Sequence, residues 1–108
     1  MLKQQSKVPV KQKPNTHVIH HDSGISFALH NTTIVRRDSI AGKVILNSGG
    51  WRTPTTKRRM NQIFDEYLIP LHVYQQDYDW YVYRSDTEET IEFTDYMELS
   101  FDRTGGSQ

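Results

Sequence analysis

The sequence predicts an α+β domain, a mostly antiparallel sheet with one amphipathic helix packed on it, in the order β-β-β-α-β-β-β. Three observations carry this. Short runs with apolar residues at alternate positions, or in compact apolar blocks, recur on both sides of the middle of the chain. Between them, Met60, Ile63, Phe64, Tyr67 and Leu68 follow the i, i+3, i+4, i+7, i+8 spacing of a single helical stripe. Tight turn signals separate the pieces, and strands segregated around one helix suit an α+β layer arrangement.

Each element follows in order. Residues 1–16, MLKQQSKVPVKQKPNT, are polar and basic, with Pro9 and Pro14 and no apolar periodicity. They read as a flexible basic arm ahead of a single domain over residues 17–102, with residues 103–108 a disordered tail. From His17 the pattern becomes β: ISFALH (25–30), TTIVRR (32–37) and KVILN (43–47) are strands, and DSIAG (38–42) is a turn in which Gly42 can take positive φ. TPTTKRRMNQIFDEYL is the helix. Thr53 is placed to cap it with Pro54 at the first helical position, Thr55 being the alternative cap, and Pro70 stops it. LHVYQQ (71–76) and DWYVYR (79–84) form two further strands around a tight turn at Asp77–Tyr78. In TIEFTDYMELSF the apolar residues Ile91, Phe93, Met97, Leu99 and Phe101 hold a period of two that Asp95 interrupts, so a final strand or a bent pair is expected.

Composition bounds what such a domain can do. With 108 residues and a hydrophobic fraction of 35%, the core must be compact, and six Tyr, four Phe and two Trp supply much of it. Cysteine is absent, which excludes disulfides, thiol catalysis and thiolate metal sites. No apolar run approaches the roughly 20 residues of a membrane helix, and no signal-type apolar stretch opens the chain. A cytoplasmic protein without membrane contact is expected. The formal net charge of zero conceals a division: residues 1–60 carry eleven Lys and Arg against two acids, +9, and residues 61–108 carry two against eleven, −9. That asymmetry suggests a dipolar surface for a polyanion or a partner protein, unless the halves interleave and the charges pair off.

The stretch KVILNSGGWRTPTTKRRMNQ, followed by VYQQDYDWYV, resembles small, uncharacterised proteins of tailed bacteriophages. In these a strand leads into Ser-Gly-Gly-Trp, a threonine-rich turn, a Lys-x-Arg-Met-Asn helix start, and then a Val-Tyr-Gln strand and a Trp-Tyr-Val strand. The resemblance covers about residues 32–83, with Gly-Gly-Trp-Arg-Thr its specific part. It implies a phage origin, and hence a host-cell cytoplasm, together with a fold pattern. It supplies no catalytic residues.

Chemistry concentrates at SGGWRTPTTKRRMNQ (48–62). Free N–H groups of a helix start, with Thr55, Thr56, Arg52, Lys57, Arg58 and Arg59 nearby, attract an anion, and cations in a first turn oppose the helix dipole unless an anion meets them. No glycine precedes Lys57 in the pattern of a phosphate-binding P-loop, so nucleotide hydrolysis is unsupported. Trp51 either stacks on a base or, the commoner role, closes one end of the core. Lys57, Asn61 and Asp65 form one line on the helix and Arg58, Gln62 and Glu66 its neighbour. Asn61 and the arginines are of the types that read base edges, although the acids confine any such contact to the first turn. HVIHHD offers His17, His20, His21 and Asp22, but no second cluster completes a zinc sphere, and alternation sends His20 and His21 to opposite faces, so no metal or other cofactor is expected.

The acids of DTEETIEFTD form a ribbon without a pocket signature, and no nucleophile or metal motif accompanies them, so no enzyme activity is expected. Glu88, Glu89, Glu92, Asp95 and Glu98 could instead imitate a nucleic-acid backbone and occupy a basic groove of a partner. Two functions follow. One is a nucleic-acid-binding accessory protein using the basic half and the helix start. The other is an inhibitor or adaptor, of anti-defence or host-takeover type, that docks on a host protein through the acidic strands. A homo-oligomer stays open.

Overall fold

A computed structural model of the chain describes residues 8–101. The fold is α+β, with the helix between four strands on either side. In chain order the elements are β1 (Thr16–His21), β2 (Gly24–Leu29), β3 (Thr32–Asp38), β4 (Lys43–Leu46), α1 (Pro54–Glu66), β5 (Leu71–Gln76), β6 (Asp79–Arg84), β7 (Glu89–Glu92) and β8 (Met97–Ser100). The expected order gains a strand at each end of the count, and the strands divide into two antiparallel sheets instead of one. The large sheet runs β1-β2-β3-β4-β8 and the small one β5-β6-β7.

The added first strand is THVIHH, which forms a hairpin with β2, from Thr16 opposite Leu29 to His21 opposite Gly24. The C-terminal acidic segment is a pair, and Asp95 marks the point at which it breaks. Before it, β7 completes the small sheet beside β6. After it, β8 crosses to pair with β4, from Lys43 opposite Ser100 to Leu46 opposite Met97.

One core joins the layers. Phe27, Val35, Val44, Leu46 and Leu99 from the large sheet meet Met60, Ile63 and Phe64 of α1 and Val73, Trp80 and Val82 of the small sheet, all buried. Between Phe27 and Ala28 the register of β2 against β3 slips: Phe27 faces Val35 while Ala28 faces Thr33. The extra residue, Ile34, is thereby turned inward beside Val35, and a β-bulge places two consecutive side chains in the core. Each such large apolar side chain, fully buried, contributes about 1.5–3 kcal/mol relative to exposure.

The helix starts as its sequence requires. Thr53 Oγ1 accepts from the Thr56 N–H at 3.2 Å, and Pro54 is the first helical residue. It ends before Pro70. Leu68 takes φ 56°, and the Ile69 N–H donates back to Phe64 O at 2.8 Å, a left-handed stop that satisfies a terminal carbonyl. The expected stripe is therefore cut short: Tyr67 is half-buried, packed edge-on against Phe27, and Leu68 is turned out to 85% exposure. Ile69 takes the inward place.

The part of the expected arm from Pro9 to Thr16 packs against the domain. Val10 is buried in the core, its N–H donates to Glu66 Oε1 at 2.8 Å, and Val10–Gln12 form a short 3-10 turn. Residues 1–7 and the expected tail, 103–108, lie outside the described residues.

Candidate functional site

The segment between β4 and α1 is built on a buried hinge. Ser48 is fully buried, and both its N–H and its hydroxyl donate to Asp95 Oδ1, at 2.8 and 2.7 Å. The hydroxyl oxygen in turn accepts from the Gly50 N–H and from Arg52 Nε, each at 3.2 Å. The Trp51 N–H closes the turn onto Ser48 O at 2.9 Å. The two central residues, Gly49 and Gly50, have φ 63° and 85°, the left-handed pair of a type I′ turn. At Gly49 a Cβ would also stand 2.6 Å from Thr32 Cγ2. The glycine pair in the sequence thus serves the turn.

The turn sets the fates of its neighbours. Trp51 does not close the core: it stands 64% exposed at the lip of a cleft of about 520 Å³ whose lining includes Leu29, His30, Thr32, Ser48, Thr53 and Thr55. Arg52, the next residue, folds the other way. Its guanidinium lies 5.4 Å from the Trp80 ring centre and 4.7 Å from that of Phe93, two rings that meet edge-on at 5.4 Å. Lys57 Nζ lies 5.8 Å over the same indole and donates to Gln75 Oε1 at 3.2 Å. Trp80 is buried, in the core role that its strand position implied.

Three of the expected anion-binding residues are used inside the fold. Arg59 is buried. It donates to Gln62 Oε1 at 2.9 Å, to Pro14 O at 3.0 Å and to Thr16 Oγ1, and so ties the N-terminal segment to the helix. Burial, with the neighbouring Arg58 second, lowers the pKa of its guanidinium. Thr56 is buried under the cap, its hydroxyl 3.1 Å from that of Thr53. Asn61 reads a backbone instead of a base edge: its amide donates to Val73 O at 2.9 Å and accepts from the Val73 N–H at 2.8 Å, occupying the outer edge of β5. What reaches the surface at the helix start is Trp51, Arg52, Thr55 and Arg58, with Lys57 half-buried beside them.

The acidic set divides as well. Asp95 holds Ser48, and Glu98 accepts from Lys43 Nζ at 2.9 Å across β4 and β8. That bond raises the pKa of the Lys43 ammonium and is a contact between the basic and acidic halves. Glu88, Glu89 and Glu92 remain on the surface, at and beside β7. Three cations at the helix start have neutral hydrogen-bond partners: a hydroxyl for Arg52, an amide for Lys57, and carbonyl and hydroxyl oxygens for Arg59. On β1, His21 Nε2 lies 2.8 Å from Ser26 Oγ, which also accepts from Arg36 Nη1 at 3.1 Å. Among the described residues, no group of three or more His, Asp or Glu side chains could hold a metal ion.

The only signals in the sequence for these internal uses are the Gly-Gly pair and the break at Asp95. Asp95 answers Ser48 from 47 residues away, and Arg59 answers Pro14 from 45.

Fold and loop together define a small two-sheet α+β protein with an open cleft beside a capped helix start. The chain belongs to the family described as Kyanoviridae Gp96 protein, whose model matches residues 2–100. It is a bacteriophage protein, and the match extends beyond residues 32–83 into both the N-terminal segment and the acidic C-terminal strands. No curated protein and no solved structure matches it. Among the described residues, no helix is long and apolar enough to cross a membrane.

Proposed function

We propose that the chain is a non-enzymatic phage accessory protein that binds single-stranded nucleic acid at the Trp51 turn and the first turn of α1. The observation that carries the reading is the 64% exposure of Trp51 at the lip of a cleft, in the turn that leads into the basic first turn of α1. A tryptophan turned outward by a glycine-built turn offers its ring to a base, and stacking of this kind contributes about 1–3 kcal/mol per base. Arg52, Lys57 and Arg58, from the same turn and the first turns of α1, would supply phosphate contacts, and the helix dipole adds to their field. Arg52 donates to the Ser48 hydroxyl and Lys57 to the Gln75 amide, neutral groups that a phosphate can replace.

The test is a fluorescence titration with oligothymidylate. Binding is expected to quench Trp51 emission, to weaken steeply with salt, and to fall by roughly 5- to 150-fold in Trp51→Ala, the range that one lost stack implies. Lys57→Glu with Arg58→Glu should abolish retention on the oligonucleotide. Unaltered binding in Trp51→Ala would remove the reading.

A second reading, docking on a host protein through the acidic strands, is favoured by one observation: Glu88, Glu89 and Glu92 are exposed at β7, whereas Asp95 is bound to Ser48 and Glu98 is paired with Lys43 at the surface.

A further inference from the structure

The small sheet has two unlike faces. Leu71, Val73, Trp80 and Val82 point into the core. Alternation puts His72 and Tyr74 of β5, Asp79, Tyr81 and Tyr83 of β6, and Thr90 and Glu92 of β7 on the other side. The register agrees: His72 faces Tyr83, Tyr74 faces Tyr81, and Tyr81 faces Glu92. The rings of His72 and Tyr74 stack at 6.5 Å with planes 17° apart, and those of Tyr74 and Tyr81 at 5.7 Å with planes 28° apart. No lysine or arginine occupies any of these outward positions. Asp79 and Glu92 lie among the rings, and Asp77, in the β5–β6 turn, lies beside them.

We propose that this outer face docks a partner protein through an extended segment that presents arginine or lysine side chains to Tyr74, Tyr81 and Tyr83. The inference extends the second reading above, giving it a surface and a partner chemistry. Tyrosine faces attract cations through the ring quadrupole, and guanidinium groups stack on them best. The acids complete the match, because Glu92 is the cross-strand partner of Tyr81 and Asp79 lies two residues along the same face. The field there acts on the ring itself: partial burial first, then Asp79, Glu92 and Asp77, raise the pKa of the Tyr81 hydroxyl. The same acids oppose the two other occupants. They repel the phosphates of a nucleic acid, and in a two-fold dimer through this face they would meet their own copies.

The test is a heteronuclear NMR titration of the full chain with a twelve-residue peptide of alternating arginine and glycine, with alternating glutamate and glycine and with oligothymidylate as comparators. Shifts from the arginine peptide should concentrate at residues 72–83 and 90–92 and weaken with salt. Tyr74→Ser with Tyr81→Ser should weaken binding about 10-fold, as the loss of two surface cation–π contacts implies. If that variant fails to fold, Asp79→Lys with Glu92→Lys, at exposed positions, should give a loss at least as large.

Shifts confined to the turn around Glu88 and Glu89 would overturn this surface while leaving the second reading in place. Absence of binding by the arginine peptide would overturn both. Oligothymidylate shifting the same residues, or self-association in sedimentation that the tyrosine variants remove, would assign the face to a different occupant and overturn the proposal.

Discussion

The two tryptophans, one beside Arg52 in sequence and the other under its guanidinium, behave in opposite ways: Trp80 is buried and Trp51 exposed. Trp80, on β6, is 3% exposed, with Phe93 edge-on to it and the cations of Arg52 and Lys57 over its ring. Trp51, a neighbour of Arg52 in sequence, is 64% exposed and touches the cleft. Residue type is the same, so backbone decides. In β6 the period of two assigns Trp80 to the inner face together with Val82. At residues 48–51 a turn with two positive φ values replaces strand alternation, and the chain turns Trp51 out at the cleft while Arg52, itself exposed, lays its guanidinium over Trp80 and Phe93. An aromatic residue next to a strand therefore reads as core only while the strand's periodicity persists.

The largest effect that follows is on stability. Trp80→Ala should lower the free energy of unfolding by about 3–5 kcal/mol, the usual cost of emptying a large buried aromatic site, whereas Trp51→Ala should stay within roughly 0.5 kcal/mol of the parent. Urea denaturation followed by far-UV circular dichroism measures both, without relying on the fluorescence that each variant changes. A loss of several kcal/mol in Trp51→Ala would show that the outward tryptophan supports the fold, and the contrast would collapse.

Next in size is the hinge that separates the two. Asp95 accepts two bonds from buried Ser48, and Ser48 positions both Gly50 and Arg52. Asp95→Ala removes a charged acceptor and leaves a buried N–H and hydroxyl without it, a loss of about 1.5–3 kcal/mol. It should also loosen the orientation of Trp51, read as a red shift or broadening of its emission in a Trp80→Phe background. A cooperative, unchanged melt in Asp95→Ala would show that the turn holds itself.

How far the sequence reveals this arrangement depends on the range of each interaction. The cap at Thr53, the stripe of Met60, Ile63 and Phe64, and the hairpin of β5 and β6 rest on residues a few positions apart, and all three are legible. The histidine-bearing β1 escapes because His17, Ile19, His20 and His21 are exposed on both faces of the strand, so it carries no apolar alternation. Val10 is a single apolar residue in a polar run, and its place in the core depends on the distant helix, where its N–H meets Glu66. Leu68 continues the helical spacing, yet a left-handed turn sends it outward.

The candidate site is less legible still. Arg59 and Asn61 have the composition of phosphate and base readers, but their partners are backbone groups at Pro14 and Val73 that no local pattern brings near. Basic character alone does not separate an arginine that faces solvent from one that fastens a segment.

Arg52 gives the smallest and sharpest test, because it touches both regions. Its guanidinium covers Trp80 and Phe93, and its Nε holds Ser48, yet the residue remains on the surface. Arg52→Ala forfeits contacts worth about 0.5–1 kcal/mol in stability, since cation–π contacts at exposed sites are modest and the lost hydrogen bond is partly replaced by water. Its effect on oligonucleotide binding should be comparable in free energy and should reduce the salt slope by about one unit, one phosphate contact fewer. Arg52→Lys separates the roles: a lysine keeps the charge, and with it the salt slope, but lacks the planar group that lies over two rings and donates through Nε. If Arg52→Lys restores the salt slope without restoring stability, the guanidinium plane serves the Trp80 side and the charge serves the Trp51 side. If neither property recovers, Arg52 acts only as part of the turn, and the cationic surface at the helix start reduces to Lys57 and Arg58.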